Sequence, residues 1–101
     1  MENIEIFLAL KQSLKNFMDK GGRISQWPSK PKLKHLVLMY LIYKFKNDQK
    51  YSETEVNNIL KEWHTFEDWA LLRRELFEKG YLNRTLDCRE YWRTNKPIIL
   101  E

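Results

Sequence analysis

The residues able to do chemistry in this chain are few: two histidines, His35 and His64, one cysteine, Cys88, and carboxylates concentrated in the second half. His64 and Asp68 stand four positions apart, a spacing that puts an imidazole and a carboxylate on one helical face, where together they could move a proton. The alternative is that His64 merely occupies the turn between two helices. Cys88 precedes Arg89, whose guanidinium would favour a thiolate if the thiol were exposed; otherwise it is an unreactive surface cysteine. There is no Gly-rich phosphate loop and no nucleophile elbow, and one cysteine with two histidines makes no zinc-ligand spacing. The expectation is a protein that is not an enzyme and uses no cofactor or metal.

The cations suggest a different chemistry. Lys30, Lys32 and Lys34 cluster before an apolar run, and Arg84, Arg89 and Arg93 recur near the C-terminus. Gathered on one face, they would follow a phosphate backbone and give affinity for double-stranded DNA without reading its sequence. Scattered, they only solvate a small domain. The first fifty residues hold ten Lys or Arg against four Asp or Glu, and the remainder eight against ten, so basic surface is expected mainly in the first half.

One domain must position these groups, because 101 residues suit a single core that buries about two thirds of the unfolded surface. Three Gly and three Pro leave little room for a many-turned all-β fold, so a mostly helical domain is expected. The lone cysteine excludes an internal disulfide, and the acidic start Met1-Glu2-Asn3-Ile4-Glu5 lacks the basic character of an export signal. Both point to the cytoplasm. The longest apolar run, Leu36 to Tyr43, has eight residues against the ~20 of a membrane span, so no membrane contact is expected.

Phe7, Leu10, Leu14 and Phe17 recur at helical spacing and predict a first helix over about residues 3–19, ended by Gly21-Gly22. This stripe either covers the domain's own core or pairs with the same stripe of a second copy in a homodimer. Residues 21–30 form a loop that Ile24 and Trp27 pin to the core. Pro31 suits the first turn of a second helix, about 31–46, which is apolar nearly all round and therefore central. Ser52 and Glu55 make a capping box ahead of Val56, Ile59, Leu60 and Trp63. Thr65 with Asp68 suggests another start and a fourth helix over about 66–79, stopped by Gly80.

Beyond it, Tyr81-Leu82-Asn83-Arg84-Thr85 and Glu90-Tyr91-Trp92-Arg93 flank a Leu86-Asp87-Cys88-Arg89 turn as a β-hairpin. The fold class expected is mainly α with a small β-hairpin: a winged helix-turn-helix-like domain over 27–101, packed as one unit with an extra N-terminal helix and loop over 1–26. The apolar tail Ile98-Ile99-Leu100 either docks on that unit or pairs elsewhere.

The fourth helix would be the recognition helix. At about 100° per residue, Phe66, Trp69, Ala70, Leu72, Leu76 and Phe77 gather on one side with Arg73 among them. Arg73 is thus read as structural, with Glu53 and Glu55 as plausible partners. The outward side collects Glu67, Asp68, Leu71, Arg74, Glu75 and Glu78, leaving Arg74 as its one candidate phosphate contact. So acidic a face would be repelled by the phosphates beside the major groove. Trp27, Trp63, Trp69 and Trp92 lie in apolar patterns, which predicts a shared core rather than a base-stacking platform.

Tyr51-Ser52-Glu53-Thr54-Glu55-Val56-Asn57-Asn58-Ile59-Leu60, Asp68-Trp69-Ala70-Leu71-Leu72-Arg73-Arg74-Glu75-Leu76, Gly80-Tyr81-Leu82-Asn83-Arg84 and Tyr91-Trp92 carry a further signal. Through these blocks, the stretch from Trp27-Pro28 to Trp92-Arg93 resembles the bacterial family known as domain of unknown function 2087. The resemblance implies a winged helix in the setting of bacterial transcription regulators, with no established activity. Two readings follow. The first is a small non-enzymatic regulatory module of transcription-regulator type that touches the DNA backbone weakly. The second is a protein-interaction or dimerisation module on the same scaffold, without DNA binding.

Overall fold

The computed structural model describes residues 3–100. Its first helix, α1 (Ile4–Ser13), starts where the Asn3 side chain accepts the Glu5 and Ile6 N–H groups. It stops well short of residue 19, because Leu14 turns the chain into a single 3-10 turn over Lys15–Phe17. Leu14 and Phe17 are three apart, a spacing that a 3-10 turn satisfies as well as an α-helix does. The returning loop closes on Asp19, whose Oδ1 accepts the Gly21 and Arg23 N–H groups at 2.9 Å each. Gly22 sits at φ 81° and its carbonyl accepts the Tyr40 hydroxyl at 2.6 Å. A side chain there would be strained and would crowd that hydroxyl.

The second helix, α2 (Pro31–Ile42), has its proline in the first turn, and Val37 to Ile42 are all buried. It ends before residue 46, since the Lys44 and Phe45 N–H groups bond Leu41 and Ile42 in tight turns that send Phe45 into the core. Next comes β1 (Lys50–Tyr51), a strand the sequence reading lacked. Ser52 and Glu55 then form the reciprocal capping box of α3 (Glu53–Trp63). Helix α4 (Trp69–Glu78) begins at Asp68, whose carboxylate accepts the Leu71 N–H. It starts later than the expected residue 66 because Glu67 has a left-handed backbone, φ 55°. Gly80, at φ 84°, ends it, with the Tyr81 N–H bonded to the Leu76 carbonyl.

Strands β2 (Leu82–Arg84) and β3 (Tyr91–Arg93) make the hairpin. The antiparallel sheet runs β1-β3-β2, with Tyr51 opposite Tyr91 and Leu82 opposite Arg93. The fold is therefore mixed: four α-helices and a small three-stranded sheet among the described residues, where helices with a bare hairpin were expected. Among the described residues no helix is long and apolar enough to cross a membrane.

One core joins these pieces. Leu10 and Leu14 are wholly buried in it, together with Ile24, Val37, Leu41, Leu60, Leu72 and Leu76. The seam residues proposed for a homodimer are thus committed within the chain, Leu10 and Leu14 completely, while Phe7 packs half-buried on Tyr40 and Tyr43 and Phe17 is half-buried. Ile24 stitches the loop to the α3–α4 turn, giving its N–H to Trp63 and accepting that of Thr65. The Lys44 ammonium lies 3.6 Å from the Trp63 ring centroid and within 5.0 Å of those of Phe7 and Tyr40, a cation among rings from three helices. Its burial, followed by the nearby charge of Lys11, lowers its pKa.

Candidate nucleic-acid interface

The hairpin is built by strand alternation, and this decides where its arginines go. Leu82, Arg84, Tyr91 and Arg93 share the inward face through their register, and Lys50, Asn83 and Trp92 share the outward one. Arg84 stacks its guanidinium 4.1 Å from the Phe77 ring centroid and donates to the Tyr91 phenol, which raises its pKa. The Tyr91 hydroxyl donates to Glu53 Oε1 at 3.0 Å, and burial raises the phenol's own pKa. Arg93 donates to the Phe45 carbonyl at 3.1 Å and lies over Tyr43. Both arginines tie the sheet to the helices. The hairpin does not assemble the expected basic strip.

Arg89 is 86% exposed and 3.5 Å from Asp87. Arg74 is 64% exposed and 3.9 Å from Glu78, its own helical neighbour. Arg73 reaches back from α4 to α3, with Nε 3.8 Å from Glu53 and Nη1 bonded to Asn57 Oδ1. Glu55, the other partner read from sequence, is occupied by the capping box. Lys30 flanks the start of α2, Lys32 lies exposed in its first turn, and Lys34 sits 5.8 Å from the Trp27 ring centroid. Among the described residues Lys30 and Lys32 have no ion-pair partner.

The outward face of α4 exposes Glu67, Asp68, Arg74 and Glu78, with Glu75 and Leu71 half-covered. Ala70 is exposed with them, not turned to the core as its helical phase suggested. The tryptophans divide. Trp27, Trp63 and Trp69 are half-buried against the core, whereas Trp92 lies on the outer sheet face beside Lys50 and Asn83. That face lines a depression of about 610 Å³ containing Asp48 and Glu90 as well as Lys50, and Lys50 is held 3.2 Å from Glu90. Strand alternation from Leu82 and Tyr91 was the signal that could have separated Trp92 and the two inward arginines.

His64 and Asp68 do not form an acid–base pair. His64 is buried, its Nε2 accepts the Asp68 backbone N–H at 2.9 Å, and its Nδ1 faces the Leu60 carbonyl. The Asp68 carboxylate is turned to the N-terminus of α4. Cys88 is half-buried at a left-handed position of the hairpin turn, φ 61°. His35, which the sequence reading left without a role, touches the Tyr81 hydroxyl at 2.6 Å. It lines a groove of about 620 Å³ with Lys32, Leu36, Met39, Lys79 and the tail residues Ile99 and Leu100. Among the described residues no group of His, Cys, Asp and Glu could hold a metal ion.

The model of one family, described as an uncharacterized protein conserved in bacteria, matches residues 23–93. No curated protein and no solved structure matches the chain.

Proposed function

For a chain that belongs to the bacterial family of domain of unknown function 2087, we propose a non-enzymatic regulatory module of the transcription-regulator kind that touches the backbone of double-stranded DNA. The element order supports it. After α2 come β1, the α3–α4 pair and the β2–β3 hairpin, with β1 completing the sheet against β3, which is read as a winged helix-turn-helix. The contact is assigned to Lys30, Lys32 and Lys34 rather than to α4. Lys30 and Lys32 lie at the positive end of the α2 dipole, where phosphate is favoured.

A titration of the full chain with duplexes of unrelated sequence tests this reading. Affinity should be weak, on the order of micromolar or poorer, similar across sequences, and steeply lowered by salt. Replacing Lys30, Lys32 and Lys34 together by Gln should flatten the salt slope. Replacing Arg84 and Arg93 should not, because their guanidiniums are held on the protein itself, stacked on Phe77 and bonded to the Phe45 carbonyl. Absence of binding at low salt, where such attraction is strongest, rejects the DNA reading.

A second reading is favoured by α4 itself. Glu67, Asp68, Glu75 and Glu78 surround a single base, Arg74, that Glu78 already answers. That face suits a basic protein surface better than a nucleic acid, and a module of this kind would act by protein contact alone.

A further inference from the structure

We propose that the groove between the start of α2, the end of α4 and the C-terminal tail binds a small amphipathic carboxylate. Its volume of about 620 Å³ falls within the range of roughly 300–1,000 Å³ typical of ligand sites. The lining has two parts. Leu36, Met39, Ile99 and Leu100 supply an aliphatic wall, in which Met39 is a deformable floor. Lys32 and Lys79 supply positive charge, and among the described residues no Asp or Glu lines the groove.

Charge complementarity selects the occupant. Among the described residues neither Lys32 nor Lys79 has an ion-pair partner, in contrast to Lys50, Arg74 and Arg89. An inorganic anion would leave the aliphatic wall uncovered, and a neutral hydrocarbon would leave the ammonium groups unanswered. A carboxylate carrying an alkyl chain satisfies both, with its oxygens on the lysines in charge-assisted hydrogen bonds. His35, with its ring edge-on to Tyr81 and against that hydroxyl, forms a fixed polar wall next to them. The depression over Trp92 is a weaker candidate because it carries both signs of charge.

Lys32 also belongs to the proposed DNA contact, so the test contains no nucleic acid and its failure is distinct from failure of that reading. The full isotope-labelled chain is titrated with decanoate below its micelle concentration, and separately with decanol and decyltrimethylammonium. Decanoate should shift the amide resonances of Leu36, Met39, Ile99 and Leu100 saturably. Decanol should bind about tenfold more weakly and the cationic amphiphile not at all. Lys32→Gln with Lys79→Gln should weaken decanoate about tenfold while leaving the circular dichroism unchanged, since both side chains are exposed. Equal binding of decanol, unchanged affinity in the double variant, or shifts confined to another surface would overturn the proposal. So would sedimentation showing self-association that decanoate dissolves, which would give the groove to a second copy of the chain.

Discussion

His64 meets Asp68 through its peptide group and not through its carboxylate. The ring Nε2 accepts the Asp68 N–H at 2.9 Å, and Nδ1, carrying the proton, donates to the Leu60 carbonyl. Both ring nitrogens are therefore used in holding α3 to α4, and the four-residue spacing that suggested proton transfer serves a turn.

His64→Phe, which fills the space but strands the Asp68 N–H and the Leu60 carbonyl, should cost about 1–3 kcal/mol. Asp68→Asn keeps a side-chain oxygen for the Leu71 N–H and should cost a few tenths at most, on the order of the differences among good caps. Urea midpoints of the two variants decide it. Wild-type stability in His64→Phe would remove the bridging role.

Arg73 and Arg74 are neighbours in sequence with opposite surroundings. The Arg73 side chain is 21% exposed and reaches Glu53 and Asn57 on α3, so Arg73→Ala should destabilise by about 1–2 kcal/mol. Arg74→Ala removes only an exposed pair within one helix and should change stability by less than about 0.5 kcal/mol. Equal denaturation midpoints would contradict the assignment.

Leu10 and Leu14 have no exposed surface, so replacing both by Lys puts two charges into the core and should abolish the fold. Far-ultraviolet circular dichroism should show the loss. A folded variant of halved mass would instead identify a dimer seam.

Asp19 gives a pH dependence. Hydrogen bonds from the Arg23 backbone and side chain lower its pKa below the usual 3.8. A carboxyl depressed in the folded state stabilises above its unfolded value and loses that contribution as pH falls through its folded one. Asp19→Asn should therefore be less stable than wild type at neutral pH, and the gap should close below about pH 3.8. A gap unchanged at low pH would show that the carboxylate charge contributes nothing to the loop.

What the sequence disclosed was local. Ser52 and Glu55 mark the start of α3 because a capping box is closed within four residues, and Gly80 stops α4 for a similarly local reason. Strand β1 left no trace, since Lys50 and Tyr51 become a strand only by lying beside Trp92 and Tyr91. The end of α1 was misplaced because Leu14 and Phe17 fit two kinds of turn equally well.

The candidate site was less legible, because the sequence shows where a charge stands along the chain while register sets the direction it faces. Arg84 and Arg93 carry full charges, yet alternation from Leu82 and Tyr91 turns both inward. Lys79 showed no kinship with Lys32 until α4 and α2 packed to form one groove.

The pairing of β1 with β3 joins Tyr51 to Tyr91 and Lys50 to Trp92, and the chain between them holds both α3 and α4. Bringing together the ends of so long a segment costs entropy that two short rungs offset poorly until the enclosed helices have packed. The short strand therefore closes a ring made of two helices, and its pairing depends on their packing.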